Sequence, residues 1–373
     1  MELSHNMETC PEIAIHHCEG SYSDRWLEYC CGHRVPHRIV NCYDSDIISQ
    51  LAGCGGLLWQ WKYGDPRDVL AALRVIRAAE AMGLVVFPNS ATCEHYDDKV
   101  GQKYLLEAIG AELAPTFVFY DKESALKWVA STKWPKVFKL SRGAGSQNVQ
   151  LIHSAAKARK LVNRAFGAGF RSVASGWGDA RSKLAKHRRK GDIWPTVKRL
   201  PKTLREFVRL SRQMPRERGY IYFQEFLPNN EYDTRITVIG NRAFGYLRMV
   251  RADDFRASGS GLNVFDQNQI DPRCIESAFR IARRLGTQAL AFDYIKGPSE
   301  SLILVEISYT FLADFIYECP GYWDPELKWH EGHYWPQDVI LQDLIKEVNA
   351  KPARTRANAM QGLGSGSGDD EAK

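Results

Sequence analysis

Between residues 11 and 90, short apolar runs alternate with segments of helical periodicity. EIAIHH, RIVNCY, GLLWQW and LVVFPN read as strands. Between them lie a helix opened by Ser23 and Asp24, a second from Ser45, and a long third from Pro66 to Met82. Strand and helix in alternation predict a parallel sheet with helices packed on its faces. Pro66 at a helix start and Gly83 just past its end follow the terminal preferences of those residues, which makes this helix the best marked of the three.

Past Asp98 the pattern changes. A helix, KVGQKYLLEAIGA, leads to the strand PTFVFY, a helix over 123–131 and the strand KVFKL; a turn from Arg142 to Asn148 then feeds VQLI. Farther on, YIYFQEF, TRITVIG, RAFGYLRMV, ALAFDYI and LILVEIS read as strands, with one helix over 272–285. The expected fold is α/β with α+β lobes. It divides into an α/β domain at 1–95, a lobe at 96–165, a basic helical insertion at 166–218, a second lobe at 219–350 and a flexible tail at 351–373.

A length of 373 residues suits two or three packed lobes. With 44% hydrophobic and 25% charged residues the chain is ordinary globular material, which excludes general disorder. No apolar run reaches the roughly 18 residues of a membrane span, and the opening MELSHNMETC lacks the regions of a signal peptide, so a cytoplasmic location is expected. Nine cysteines with no C-x-x-C pair point to reduced, mostly buried thiols. The net charge of +6 hides a concentration, because residues 171–218 hold 15 Lys or Arg against 4 Asp or Glu. Such a segment on an otherwise mildly acidic chain points to one anionic partner surface.

Candidate chemistry is spread along the chain. Gly53, Gly55 and Gly56 follow a helix and precede a strand, the reverse of a dinucleotide fingerprint. Lys139 ends a strand and is followed by Ser141, Arg142, Gly143, Ala144, Gly145 and Ser146. Small residues there let backbone N–H groups close over phosphate oxygens beside a fixed cation, although the turn also suits an ordinary hairpin. It is not a Walker loop. Asp293 and Glu306 fall on neighbouring strands if KGPSE is a hairpin turn; two converging carboxylates suit magnesium, and two strand-end acids facing water are the alternative.

The ordered series Asp98-Lys99, Lys139 with its glycine turn, Gln224-Glu225-Phe226-Leu227, Asp233-Thr-Arg235, Asp293 and Glu306 resembles the ATP-grasp superfamily over about residues 10–345. It looks most like the branch of ribosomal-protein glutamate ligases and glutathione synthetases. It also resembles ATP-grasp proteins encoded among bacterial surface-polysaccharide genes, through SYSDRWLEYC, DDKVGQKYLLEAIGA and WHEGHYWPQD. The resemblance implies an ATP-grasp fold behind a Rossmann-like pre-ATP-grasp domain, with ATP and two magnesium ions. It makes Lys99 and Lys139 phosphate-contacting cations, residues 142–148 a phosphate lid, Gln224, Glu225, Phe226 and Leu227 the adenine hinge, and Glu231 the ribose contact. Asp293 and Glu306 become magnesium ligands. Arg235, Arg248 and Arg251 face the γ-phosphate or the carboxylate being activated, with Arg248 matching the family spacing best. Where the family has Glu-x-Asn, this chain reads Glu306-Ile307-Ser308, a neutral hydroxyl in place of an amide oxygen at the second metal position. The segment Asp254 to Gly259 approximates the glutamate-ligase pattern, lying one residue nearer to Arg248, and the resemblance makes Arg256 and Ser258 acceptor contacts.

The implied reaction turns a carboxylate into an acyl phosphate and joins it to an amine, releasing ADP and phosphate. Substrate readings are weaker. Tyr317, Tyr322, Trp323, Trp329, Tyr334 and Trp335, interleaved with His330 and His333, can hold a sugar ring or fill a core; the histidine spacing does not suit a zinc protease. The basic insertion reads as a solvated helix pair, or as a surface for an anionic glycan or lipid headgroups at the inner membrane face. RNA is less favoured because aromatic stacking residues are few there. The substrate expected from the family context is a uronic-acid carboxyl of a surface polysaccharide or its precursor, joined to an amino acid or other amine. The alternatives are a peptide C-terminal ligase and a non-catalytic nucleotide-binding scaffold.

Overall fold

The computed structural model describes residues 11–62, 65–142, 148–171, 216–251, 255–257 and 259–351. Gly143, Ala144, Gly145, Ser146, Ser258, most of the basic insertion and the C-terminal tail lie outside the described residues.

The first sheet contains β1 (Ile13–His16), β2 (His37–Val40), β3 (Gly56–Leu58) and β4 (Val85–Phe87) in the order β2-β1-β3-β4, all parallel. This is the expected alternating α/β unit. Its helix α1 (Tyr22–His33) starts earlier than Ser23, because the Ser21 side chain caps it by accepting the Ser23 N–H. The helix expected from Ser45 shrinks to α2 (Ile47–Gln50). In α3 (Pro66–Ala81), Asp65 caps and Pro66 opens the first turn, while Ala72, Ile76 and Ala79 at helical spacing form the buried stripe. The neighbouring glycines serve packing. A Cβ on Gly56 would meet Leu344 at 2.9 Å, and one on Gly55 would meet Val348 at 2.7 Å. Both contacts belong to α10 (Pro336–Ala350), the last helix among the described residues, which lies over β3 and anchors the first sheet. Arg25 of α1 grips Asp338 through two hydrogen bonds of 2.8 and 2.7 Å, and Trp26 donates its indole N–H to the Gln337 carbonyl.

After α4 (Ser90–Cys93) and α5 (Lys99–Ala108) comes an antiparallel sheet ordered β5-β10-β6-β7. It comprises β5 (Thr116–Phe119), β6 (Lys136–Lys139), β7 (Val149–Ile152) and β10 (Ile221–Glu225). Helices α6 (Lys122–Ser131) and α7 (Ala155–Ala165) cover one face, burying Phe138, Phe223, Val129, Ile152 and Val162. Truncating the fully buried Phe223 to Ala would cost about 3–5 kcal/mol by leaving a cavity in this small core. Within the span expected as a basic helical insertion, 166–218, the described residues near each end form a short antiparallel pair, β8 (Phe170–Arg171) and β9 (Arg216–Glu217).

The third sheet is the largest, ordered β15-β14-β11-β12-β16-β17. Its members are β11 (Tyr232–Ile239), β12 (Arg242–Met249), β14 (Ala289–Lys296), β15 (Leu302–Ser308), β16 (Gly321–Trp323) and β17 (Trp329–Glu331), with β13 (Asn263–Val264) paired to β12. Helix α8 (Pro272–Leu285) spans the expected residues. Asp271 caps its start, Pro272 opens it, and Gly286 ends it at φ +69°, a left-handed conformation that suits glycine. Helix α9 (Ala313–Glu318), the β16–β17 hairpin and α10 were not expected from local pattern. Among the described residues no helix is long and apolar enough to cross a membrane, and the eight described cysteines are all free thiols, most of them buried.

Candidate functional site

Lys99 is positioned by a cap and by a strand. The Asp98 side chain accepts the Gly101 N–H at 3.0 Å and so starts α5 immediately before the lysine. The segment after α5 then runs beside β15: Leu304 N–H donates to the Glu112 carbonyl at 2.8 Å, and Gln102 Oε1 accepts the Ile307 N–H at 3.4 Å. These contacts bring the Lys99 ammonium within 3.0 Å of Glu306 and 3.9 Å of Asp97. Burial pushes the Lys99 pKa down, but the Glu306 and Asp97 carboxylates outweigh it and hold the value up at about 12.

Lys139 enters from the antiparallel sheet. Its register partner on β10 is Tyr222, and Gln224 pairs with Val137, so Lys139, Tyr222 and Gln224 share the face opposite α6 and α7. The side chain is 8% exposed, and among the described residues no carboxylate lies within 4 Å of its ammonium. Burial lowers its pKa to about 8, against the opposing pull of Glu306 and the same-direction push of Lys99; Asp293 also favours the charged form. The two lysines and the two acids therefore share one electrostatic neighbourhood. The base of the glycine turn is tied into it: Ser141 Oγ donates to Asp98 at 2.6 Å, Lys99 N–H donates to the Ser141 carbonyl at 3.1 Å, and Ser141 N–H donates to the Tyr220 hydroxyl at 2.6 Å. Tyr220 donates onward to Glu217 at 2.5 Å, and Glu217 lies 3.5 Å from Arg142.

The acids stand on adjacent strands, as a hairpin at 296–300 requires. Asp293 on β14 is directly opposite Glu306 on β15, with a register shift just beyond. Arg235 on β11 is opposite Asp293, and Asp233 on β11 is opposite Arg248 on β12. Arg235 makes a two-pronged contact with Asp293 at 2.7 and 2.8 Å, while Arg248 clasps Asp233 at 2.6 Å twice and reaches Asp293 at 2.7 Å. Burial opposes ionisation of Asp293, yet the two guanidinium groups hold its carboxyl well below the usual carboxylate range. Asp233, buried and beside the charge of Asp293, is shifted upward despite Arg248. Lys99, Lys139, Arg235 and Arg248 thus face Asp97, Asp233, Asp293 and Glu306, an electrically balanced set. Asp97, Gln102 and Tyr220 are members that motif reasoning did not single out, and Asp233, named in the ordered series, was given no role there; the positive φ of Asp97, +52°, is invisible before folding.

The remaining candidates are more dispersed. Glu225 is held by the buried Lys136 at 2.9 Å, whereas Gln224 donates to Thr116 Oγ1 at 3.1 Å. Phe226 and Leu227 continue past the strand end, and Phe226 packs edge-on against Phe255 at 5.7 Å, beside Arg256. Glu231 is exposed, and its carbonyl accepts the Val250 N–H. Arg251 donates to the Gly259 carbonyl. The Ser308 hydroxyl is engaged by Thr310, donating to its carbonyl at 3.1 Å and accepting its N–H at 3.2 Å. Among the described residues no group of three or more His, Cys, Asp or Glu side chains converges as a metal site. Trp329 and His330 lie on β17, at the opposite edge of the sheet from β15. His330 contacts Asp324 at 2.6 Å and stacks on Tyr322, and His333 contacts the Tyr317 carbonyl at 2.6 Å.

Neither a protein-family model nor a curated protein matches this sequence. Solved structures do match its shape. The chain is similar to the biotin carboxylase domain of the 2-oxoglutarate carboxylase from Hydrogenobacter thermophilus, with TM-score 0.56 and 11% identity over 91% of this chain and 70% of that one. It is similar to the ATP-grasp ligase PsnB, complexed with a minimal precursor, with TM-score 0.53 and 13% identity over 91% and 99%. It is similar to a RimK domain ATP-grasp protein from Sphaerobacter thermophilus, with TM-score 0.50 and 15% identity over 82% and 93%. The chain has the ATP-grasp fold. In an ATP-grasp frame, the four cations and four carboxylates described above sit where the antiparallel lobe, α5 and the large sheet meet.

Proposed function

We propose that this chain is an ATP-dependent carboxylate–amine ligase that works through an acyl phosphate. One observation supports this reading above the others: Lys99 and Lys139, from different elements, share a neighbourhood with Glu306 and Asp293. Lys139 is a buried cation with no carboxylate within 4 Å among the described residues, which suits an anionic phosphate. Asp293 and Glu306 supply oxygen donors of the kind magnesium takes, with the remaining ligands coming from phosphate and water. Ser308 is turned toward Thr310, so two carboxylates are the protein's main offering to the metal. When bound, magnesium would neutralise charge on the phosphate oxygens.

The chain's own residues would then act by position. Lys99 and Lys139 would hold phosphate oxygens, and Arg235 and Arg248, which flank Asp293, would face the charge spread over the transferred phosphoryl. Arg142, tied to Glu217, stands at the mouth of the turn that would exclude water from the acyl phosphate. The substrate carboxylate attacks the γ-phosphorus, ADP leaves, the amine attacks the activated carbon, and phosphate leaves with the amide formed.

For the carboxylate we propose a uronic acid of a surface polysaccharide or its precursor, with an amino acid or other amine as acceptor. The second reading, ligation on a peptide, gains from the similarity to PsnB, which was solved with a precursor. Incubation with ATP, magnesium and hydroxylamine, with uronic acids in one arm and peptides in the other, tests both through ADP release and hydroxamate yield. Hydroxamate with uronic acids alone supports the first reading, and with peptides alone the second. Absence of both ADP release and ATP-analogue binding would reject the ligase assignment.

A further inference from the structure

A second cluster of cations lies on the other face of the antiparallel lobe and takes no part in the proposed reaction. Phe138, Leu140, Asn148, Gln150, Phe170 and the arginines 164, 171 and 216 surround a cavity of about 240 Å³. Phe138 and Leu140 belong to the core beneath α6 and α7, so this cavity opens opposite the face that carries Lys139.

Arg171 and Arg216 are direct register partners on the antiparallel pair β8–β9. Like charges placed directly opposite destabilise a strand pair. Arg164, from the last turn of α7, lies 4.6 Å over the Phe170 ring and donates to the Gly169 carbonyl at 3.2 Å; Arg216 donates to the Ala168 carbonyl at 2.6 Å. Among the described residues none of the three has a carboxylate within 4 Å. The stretch of chain that joins β8 to β9 is itself strongly basic, so it supplies no surplus of counter-charge. Lys157, Arg159 and Lys160 add further exposed cations along α7.

We infer that Arg164, Arg171 and Arg216 form an oxyanion site, accepting a phosphate-type group between their guanidinium forks. Its volume falls below the roughly 300–1,000 Å³ of pockets that enclose a whole small molecule, so it suits an anionic group carried by a larger one as well as the free ion. The site also touches the reaction centre's support, because the next residue on β9, Glu217, holds Tyr220 and Arg142.

The test is thermal unfolding of the full chain with inorganic phosphate as probe, against chloride at equal ionic strength. Phosphate should stabilise the wild type, and Lys139→Met, which removes a phosphate cation of the proposed nucleotide site, should keep the part of the response that Arg216→Gln removes. Arg216→Gln should weaken the phosphate response roughly tenfold and, at low salt without phosphate, should unfold at a higher temperature than the wild type as repulsion is relieved. Arg216→Lys, which keeps the charge but loses the fork, should retain only part of the response. A phosphate response unchanged in Arg216→Gln, or absent from the wild type, overturns the inference. A response abolished by Lys139→Met also overturns it, while leaving the ligase reading intact.

Discussion

Asp293 and Glu306 stand directly opposite each other on adjacent strands, yet each is bound to different cations: Asp293 to Arg235 and Arg248, Glu306 to Lys99. The two carboxylates that suit a divalent ion are therefore already neutralised by side chains from three other elements. Their surroundings differ as well, since the Asp293 side chain is 7% exposed and that of Glu306 is 32%.

That difference separates two substitutions. Asp293→Asn leaves two buried guanidinium groups without their shared carboxylate and should lower unfolding stability by about 3–5 kcal/mol. Glu306→Gln removes a more solvated partner of Lys99, which keeps Asp97, and should cost less than about 2 kcal/mol. Both should cut ADP release by roughly 100-fold or more. Urea unfolding and a coupled ADP assay on both variants check this.

The Lys139 ammonium gives a pH signature. Its folded value of about 8 lies below the ordinary 10.5, chiefly through burial. Between these values the unfolded chain binds more protons than the folded one, so this group makes stability rise with pH from about 8 to 10.5; below pH 8 the cost of burying the charge is fully present. Lys139→Met should remove this slope, seen as a pH-dependent gap between the two unfolding free energies. In the ligase reading, kcat/KM for ATP should fall above about pH 8, and Lys139→Arg should flatten the fall.

Tyr220 bridges Ser141, at the base of the glycine turn, and Glu217 on β9 through one accepted and one donated hydrogen bond. Tyr220→Phe leaves the Ser141 N–H and Glu217 without that partner and should cost about 1–3 kcal/mol. Hydrogen exchange should accelerate at the Ser141 amide, with a weaker ATP-analogue affinity by titration calorimetry. A variant with wild-type exchange at Ser141 would show the bridge to be dispensable.

The aromatic hairpin should be separable from nucleotide binding. His330→Ala removes the contact with Asp324 and the stack on Tyr322, both at the sheet edge away from β15. ATP-analogue affinity should stay within roughly twofold of wild type, since no nucleotide contact is lost. If the hairpin meets the acceptor, KM for the carboxylate or amine rises instead, measurable once a substrate pair is found.

Much of the fold was legible in one dimension because local physics leaves local marks. Apolar alternation in the first 90 residues foretold the parallel sheet, and the Asp-Pro start and glycine end of α8 marked its limits. The β16–β17 hairpin and α10 escaped notice, since their partners lie far away in sequence: α10 owes its place to Arg25, Trp26 and the close approach allowed by Gly55 and Gly56. At the site, residue type and local pattern marked Lys139, Asp293 and Glu306 as candidates, and Lys99 was named through the family resemblance. Spacing carried no sign of the pairings among Asp233, Arg235, Arg248 and Asp293, nor of the Tyr220 to Ser141 bridge. Those depend on register between strands and on burial, which strengthens each charge contact and exists only once the lobes have packed.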